Sequence, residues 1–131
     1  MTSIPQGPTL YAETLPAGED LSGSQFYFVK RSSDTYVACD AVTDLPDGVL
    51  QNKPELGEPC EVIAIGPTKL SADAAIAVGA FIGPSADGQA TTRTPNHAGS
   101  NYACGRARGA ASDAGNIIAG YVNCITPVLG A

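Results

Sequence analysis

One histidine, thirteen acidic residues and four cysteines are the groups through which this chain could do chemistry. His97 is set in the polar stretch Thr91–Asn101, between Pro95 and Gly99. A nucleophile needs a base within hydrogen-bond reach, and no serine sits in a GxSxG elbow, so a Ser–His or Cys–His pair would have to be assembled by the fold alone. His97 therefore reads as a solvated loop residue. The carboxylates of Asp34, Asp44, Asp47, Asp87 and Asp113 fall among Gly, Pro and Ser, where short acidic side chains bond nearby backbone and build turns. Paired carboxylates for glycoside chemistry can be drawn from the acidic residues, but turn solvation accounts for them better. No loop spaces its oxygens as calcium loops do. Gly79, Gly83 and Gly88 lack the helix that a phosphate-binding loop leads into. Cys39, Cys60, Cys104 and Cys124 are far apart, with no CxxC pair. Buried, reduced thiols are the first reading, and disulfides and a zinc site are the alternatives. The expectation is a protein that is not an enzyme and uses no cofactor and no metal.

The rest of the composition says what must hold such groups in place. At 131 residues the chain suits one domain, and 44% hydrophobic content suits a folded one. Fifteen glycines, ten prolines and no tryptophan point to short elements, many tight turns and a thin core. The net charge of −6 with seven basic residues offers no phosphate-binding footprint, so nucleic acid and anionic membranes are not expected partners. Residues 1–20 carry no Lys or Arg and no apolar run of secretory type, and no run anywhere is long enough to cross a bilayer. Synthesis and folding in a cytoplasm are expected.

Residues 1–20 read as an extended arm, because Pro5, Pro8 and Pro16 remove backbone donors and exclude a helix or central strand. Ile4, Leu10, Tyr11 and Leu15 give that arm apolar anchors for a partner. The body, 21–131, opens with Gln25–Lys30 and Thr35–Cys39, two strands joined by the turn Ser32-Ser33-Asp34. Asp44–Gly48 is a turn, and Val49-Leu50 a short apolar run. Cys60–Gly66 is the clearest strand, closed by Pro67. Ser71–Gly79 is the single stretch with helix signals: Ser71 or Asp73 as a cap and Gly79 as a stop. Phe81-Ile82 ends a strand before the turn 83–88, and 91–101 is a polar loop. Tyr102–Arg108 alternates with period two, Ala103, Gly105 and Ala107 on one face and Arg106 and Arg108 on the other. The turn Asp113–Asn116 leads to Ile117–Ile125 as the closing strand, and Pro127 and Gly130 mark a loose tail. Most of Tyr27, Tyr36, Tyr102 and Tyr121 are expected in a core or an interface.

Many short strands with turns about every ten residues predict a mainly β fold: a small antiparallel β-barrel or sandwich with an extended N-terminal arm and at most one short helix. Arg106 and Arg108 are the sharpest basic feature. They read either as an ordinary solvated edge or as an ion-pairing strip toward an acidic neighbour.

The order of features over residues 21–125 resembles the small head-decoration (capsid cement) proteins of tailed bacteriophages. An apolar strand ends in Val29-Lys30, and Gly48-Val49-Leu50-Gln51-Asn52 is trailed by Pro54 and Gly57. The strand with Val62 follows, then Lys69-Leu70 before the alanine-rich piece with Ala74, Ile76 and Gly79. Asp87-Gly88, the small-residue strand of Ala103, Gly105 and Ala107, and Gly115 with the last strand complete the series. The arm and the 91–101 loop depart from it. The resemblance implies a trimer on the outside of the virion capsid that clamps adjacent major capsid protein subunits without catalysis. Ile4, Leu10, Tyr11, Leu15, Arg106 and Arg108 are then the candidate capsid contacts. A carbohydrate- or receptor-binding β module is the rival reading, and it calls for exposed aromatics or a metal cluster.

Overall fold

A computed structural model describes residues 9–93 and 102–129. Every element among them is a strand: β1 (Leu10–Tyr11), β2 (Phe28–Ser32), β3 (Thr35–Ala38), β4 (Gly48–Leu50), β5 (Val62–Ser71), β6 (Phe81–Pro84), β7 (Ala90–Arg93), β8 (Tyr102–Ala103), β9 (Gly105–Ala107), β10 (Ile117–Asn123) and β11 (Val128–Leu129). Nine of these form one antiparallel, half-barrel sheet in the order β3-β2-β4-β5-β10-β9-β6-β7, with β1 beside β5. β8 and β11 make a separate two-stranded ladder. The mainly β expectation holds.

The first hairpin forms as its residues dictate. Val29 faces Ala38 and Ser32 faces Thr35, while Ser33 takes the left-handed conformation in the turn. The far hairpin turns at Gly88, whose φ is +90° and where a Cβ would press on the carbonyls of Phe28 and Cys39. Only glycine fits that approach. It brings the β6–β7 turn against the start of β2, with Phe28 N–H donating to the Gly88 carbonyl at 2.7 Å. The sheet thus curls enough to lay the β6–β7 turn against its β2 side.

Two cores result, and consecutive residues feed them alternately. Phe28, Val49 and Ile63 point into the main core, whereas their neighbours Val29, Leu50 and Val62 point into a second one. Side chains alternate across a strand, so β2, β4 and β5 are covered on both faces here. The outer cover is the N-terminal segment: Ala17 and Leu21 are buried in the second core, and Ala12 and Leu15 pack against it. This corrects the reading of residues 1–20 as an arm outside the ladder, for residues 9–20. Ala12 N–H donates to Val62 O, Cys60 N–H to Leu15 O, Ala17 N–H to Glu58 O and Tyr36 N–H to Pro16 O, at 2.8–3.0 Å. Pro16 is tolerated because that position needs only an acceptor. Ile4 lies outside the described residues.

Other boundaries move for the same reason, that tertiary pairing decides where backbone groups go. Residues 71–79 are not a helix: Ser71 ends β5, Ala72 bridges Ala90, Ile76 bridges Ala111, and Gly79 N–H donates to Ala107 O. Pro67 does not close its strand but sits within β5 opposite Tyr121. Of the strands paired with β5, only β10 runs beside residues 66–71, so Pro67 has one edge that needs no donor. Ile117–Asn123 is not a closing strand but a central one, between β5 and β9. Thr91–Arg93 belong to β7, and His97 with the rest of the expected loop lies outside the described residues. Likewise Val128-Leu129, in the expected loose tail, pair with β8.

All four cysteines are free and buried. Cys39, Cys104 and Cys124 share the main core and Cys60 the second. Burial pushes the Cys39 and Cys60 thiols up, toward the neutral form.

Candidate interaction surface: a cation-aromatic face

The surface is built by a bulge and a register. Leu10 and Tyr11, adjacent in sequence, face Ile65 and Ile63, two residues apart on β5. The slip reverses the alternation of β5, so Ile63 points inward while Pro67 and Lys69, further along, are exposed. On β10 the pattern is regular: Ile118, Gly120 and Val122 are buried, and Ile117, Ala119 and Tyr121 are exposed. Tyr121 stands opposite Pro67 on one side and Arg106 on the other, and Arg106 stands opposite Phe81. Pro67, Tyr121, Arg106 and Phe81 therefore form one lateral row across β5, β10, β9 and β6. Gly105 lets β9 lie this close, since a Cβ there would collide with the Tyr121 carbonyl.

Cations lie on the rings. The Arg106 guanidinium is 5.3 Å from the Phe81 ring centroid, Arg108 is 4.7 Å from that of Tyr121, and the Lys69 ammonium is 5.9 Å from that of Phe26. Each distance is within cation–π range. Arg106 Nε also donates to Gly79 O at 3.2 Å, which fixes the plane of the guanidinium. Around them Val78 (65%), Ile117 (51%), Tyr121 (48%) and Phe81 (38%) remain exposed. An open groove of about 660 Å³ runs past Phe26, Gln51, Lys69, Arg108 and Tyr121. No carboxylate lines it.

Of the other four basic residues, Lys53 enters no ion pair among the described residues, and the remaining three are engaged elsewhere. Lys30 pairs with Asp40 and Asp44 at 2.7 and 2.8 Å, and Arg31 with Glu13 and Asp34. Burial pushes the Asp44 carboxyl up, but bonds from Lys30 and two backbone N–H groups outweigh it and hold the group below the usual range. Arg93, half-buried, donates to the carbonyls of Pro84, Val42 and Tyr102. Lys69, Arg106 and Arg108 enter no ion pair with a carboxylate among the described residues. In a chain of net charge −6, they gather on one apolar face.

Of the residues singled out from sequence, Arg106 and Arg108 are brought together here. Leu10 and Tyr11 are exposed on β1, whereas Leu15 is spent on the second core. Phe81, Lys69, Val78 and Phe26 were not foreseen as part of a surface, because their neighbours come from strands distant in sequence. Tyr121, expected in a core or an interface, is half-exposed on this face, while Tyr36 is buried.

No family model matches the chain, and no curated protein matches it. Among solved structures, the fold is similar to that of the head fiber gp8.5 N base in bacteriophage phi29, with a TM-score of 0.62 and 18% identity. The likeness covers 89% of this chain and 96% of that one.

Proposed function

We propose that this chain is a structural protein of a phage head, a decoration (cement) protein that binds the outside of the capsid and stabilises contacts between major capsid subunits. The observation that carries this reading is the fold shared, nearly end to end, with a phage head fiber base. On this reading the protein acts without catalysis or cofactor, assembles as a homotrimer after synthesis in the host cytoplasm, and attaches through the cation-aromatic face. A sheet packed on both faces at one end, with an exposed cation-aromatic face elsewhere, supports the role, because a cement protein needs repeated complementary patches whose weak contacts add around a lattice. The likeness also favours a second, narrower reading, in which the chain is the base of a projecting head fiber.

Co-sedimentation of the purified chain with heads that lack it tests the proposal. Saturable binding, with heads that withstand higher temperature once decorated, is the expected result. Binding with no gain in head stability would favour the fiber base. No binding to heads would overturn both. The carbohydrate-binding rival is disfavoured by Arg108 and Lys69, which lie over the rings on which a sugar would stack.

A further inference from the structure

We infer that Arg106 and Arg108 together take two carboxylates carried by one extended acidic segment of a partner protein. Both guanidiniums are pre-oriented. Arg106 is held between the Phe81 ring and the Gly79 carbonyl, and Arg108 lies on the Tyr121 ring. An arginine lying flat on a ring keeps its in-plane N–H edge free, and that edge matches a carboxylate bidentately. The two residues stand on either side of the buried Ala107, Arg106 on β9 and Arg108 in the bend that follows it, and both line one cleft with Val78 and Tyr121. Carboxylates two residues apart on an extended segment share one face and so can both be presented to that cleft.

The surroundings select this occupant over others. Val78, Phe81, Ile117 and Tyr121 supply an apolar rim, and a docked partner would exclude water from ion pairs that are weak when solvated. A nucleic acid or an anionic bilayer would meet the remaining surface, which is acidic, and be repelled by it. A short protein segment meets only the face. Within the proposed role as a head protein, on which this inference rests, the segment belongs to the surface on which the chain docks.

The test uses a labelled peptide alternating Glu and Thr, its Gln-for-Glu counterpart, and fluorescence anisotropy at low salt. The Glu peptide binds and the Gln peptide binds at least about tenfold more weakly, as loss of a charge-assisted bond implies. R106Q and R108Q each weaken binding by about tenfold. F81A weakens it with every charge retained, and the R106K/R108K double variant stays several-fold weaker than the parent. These residues are exposed, and unchanged unfolding midpoints confirm that the variants fold. Equal binding of both peptides overturns the inference. So does full activity of the double Lys variant, which would leave only a generic attraction of polyanions. Light scattering that shows salt-reversible self-association, abolished by R106Q/R108Q, makes a second copy the occupant and also overturns it. If R106Q/R108Q loses the peptide yet still sediments with heads, the carboxylate site stands and this face is not the head-attachment surface. If the Glu peptide never binds while the parent chain sediments with heads, the site falls and the head role stands.

Discussion

The Tyr36 hydroxyl donates to the backbone carbonyl of Glu13, 2.9 Å away, from a side chain only 1% exposed. The bond ties β3 to the N-terminal cover through the middle of the second core.

Burial raises the Tyr36 pKa from 10.0 to about 12. A group with a raised folded pKa contributes stability that is complete below its unfolded value and lost as pH rises through the folded one. The parent chain should therefore lose stability between pH 10 and about 12, by roughly 2–3 kcal/mol from this group. Y36F should cost about 0.5–1.5 kcal/mol at neutral pH and show a shallower alkaline loss. Urea unfolding at stepped pH checks both, and an alkaline loss as steep as the parent's would assign it to another group.

Deleting residues 9–20 should destabilise the body, because Val29, Tyr36, Leu50 and Val62 would lose their cover. Large apolar side chains contribute about 1.5–3 kcal/mol each when fully buried, so a cost of at least about 3 kcal/mol is expected. That is a fall of about 10 °C in Tm for a domain of this size. A truncated chain that melts with the parent would restore the view of this segment as a separable arm.

Gly105→Ala should cost about 1–3 kcal/mol, since the new methyl meets the Tyr121 carbonyl and must separate β9 from β10. It should also displace Arg106 from Phe81. A crystal structure or calorimetry of the variant that shows neither effect would mean that the two strands are not held this close.

The native thiols should be silent. All four are buried, and a neutral, inaccessible thiol reacts slowly. A thiol-reactive dye should label none in buffer and four in denaturant, with a Tm indifferent to reductant. Rapid labelling of the native chain, or a Tm lowered by reductant, would disprove the arrangement.

What could be read from the residues was whatever local chemistry decides. The β2–β3 hairpin followed from its β-branched and aromatic run and from Ser33-Asp34, and the outward pair Arg106 and Arg108 followed from period two. What could not be read was decided by partners distant in sequence. The alanines of 71–79 favour a helix, yet Ile76 is worth more in the core, and its backbone finds Ala111. Pro16 and Pro67 punctuate a sequence, yet each occupies a place where no donor is needed. The rings under Arg106 and Arg108 were hidden because Phe81 and Tyr121 become their neighbours only through the order β10-β9-β6.

That order also sets a timetable. The middle of the sheet joins Ile65–Ser71 to Ile117–Asn123, some fifty residues later in the chain, and the N-terminal segment closes over strands made after it. Pairings so distant in sequence make a fold slow to reach and leave its unpaired strands open to other chains meanwhile. On the ribosome, β5 must wait with an apolar edge uncovered until β10 emerges. Meanwhile the net charge of −6 makes unfinished chains repel one another.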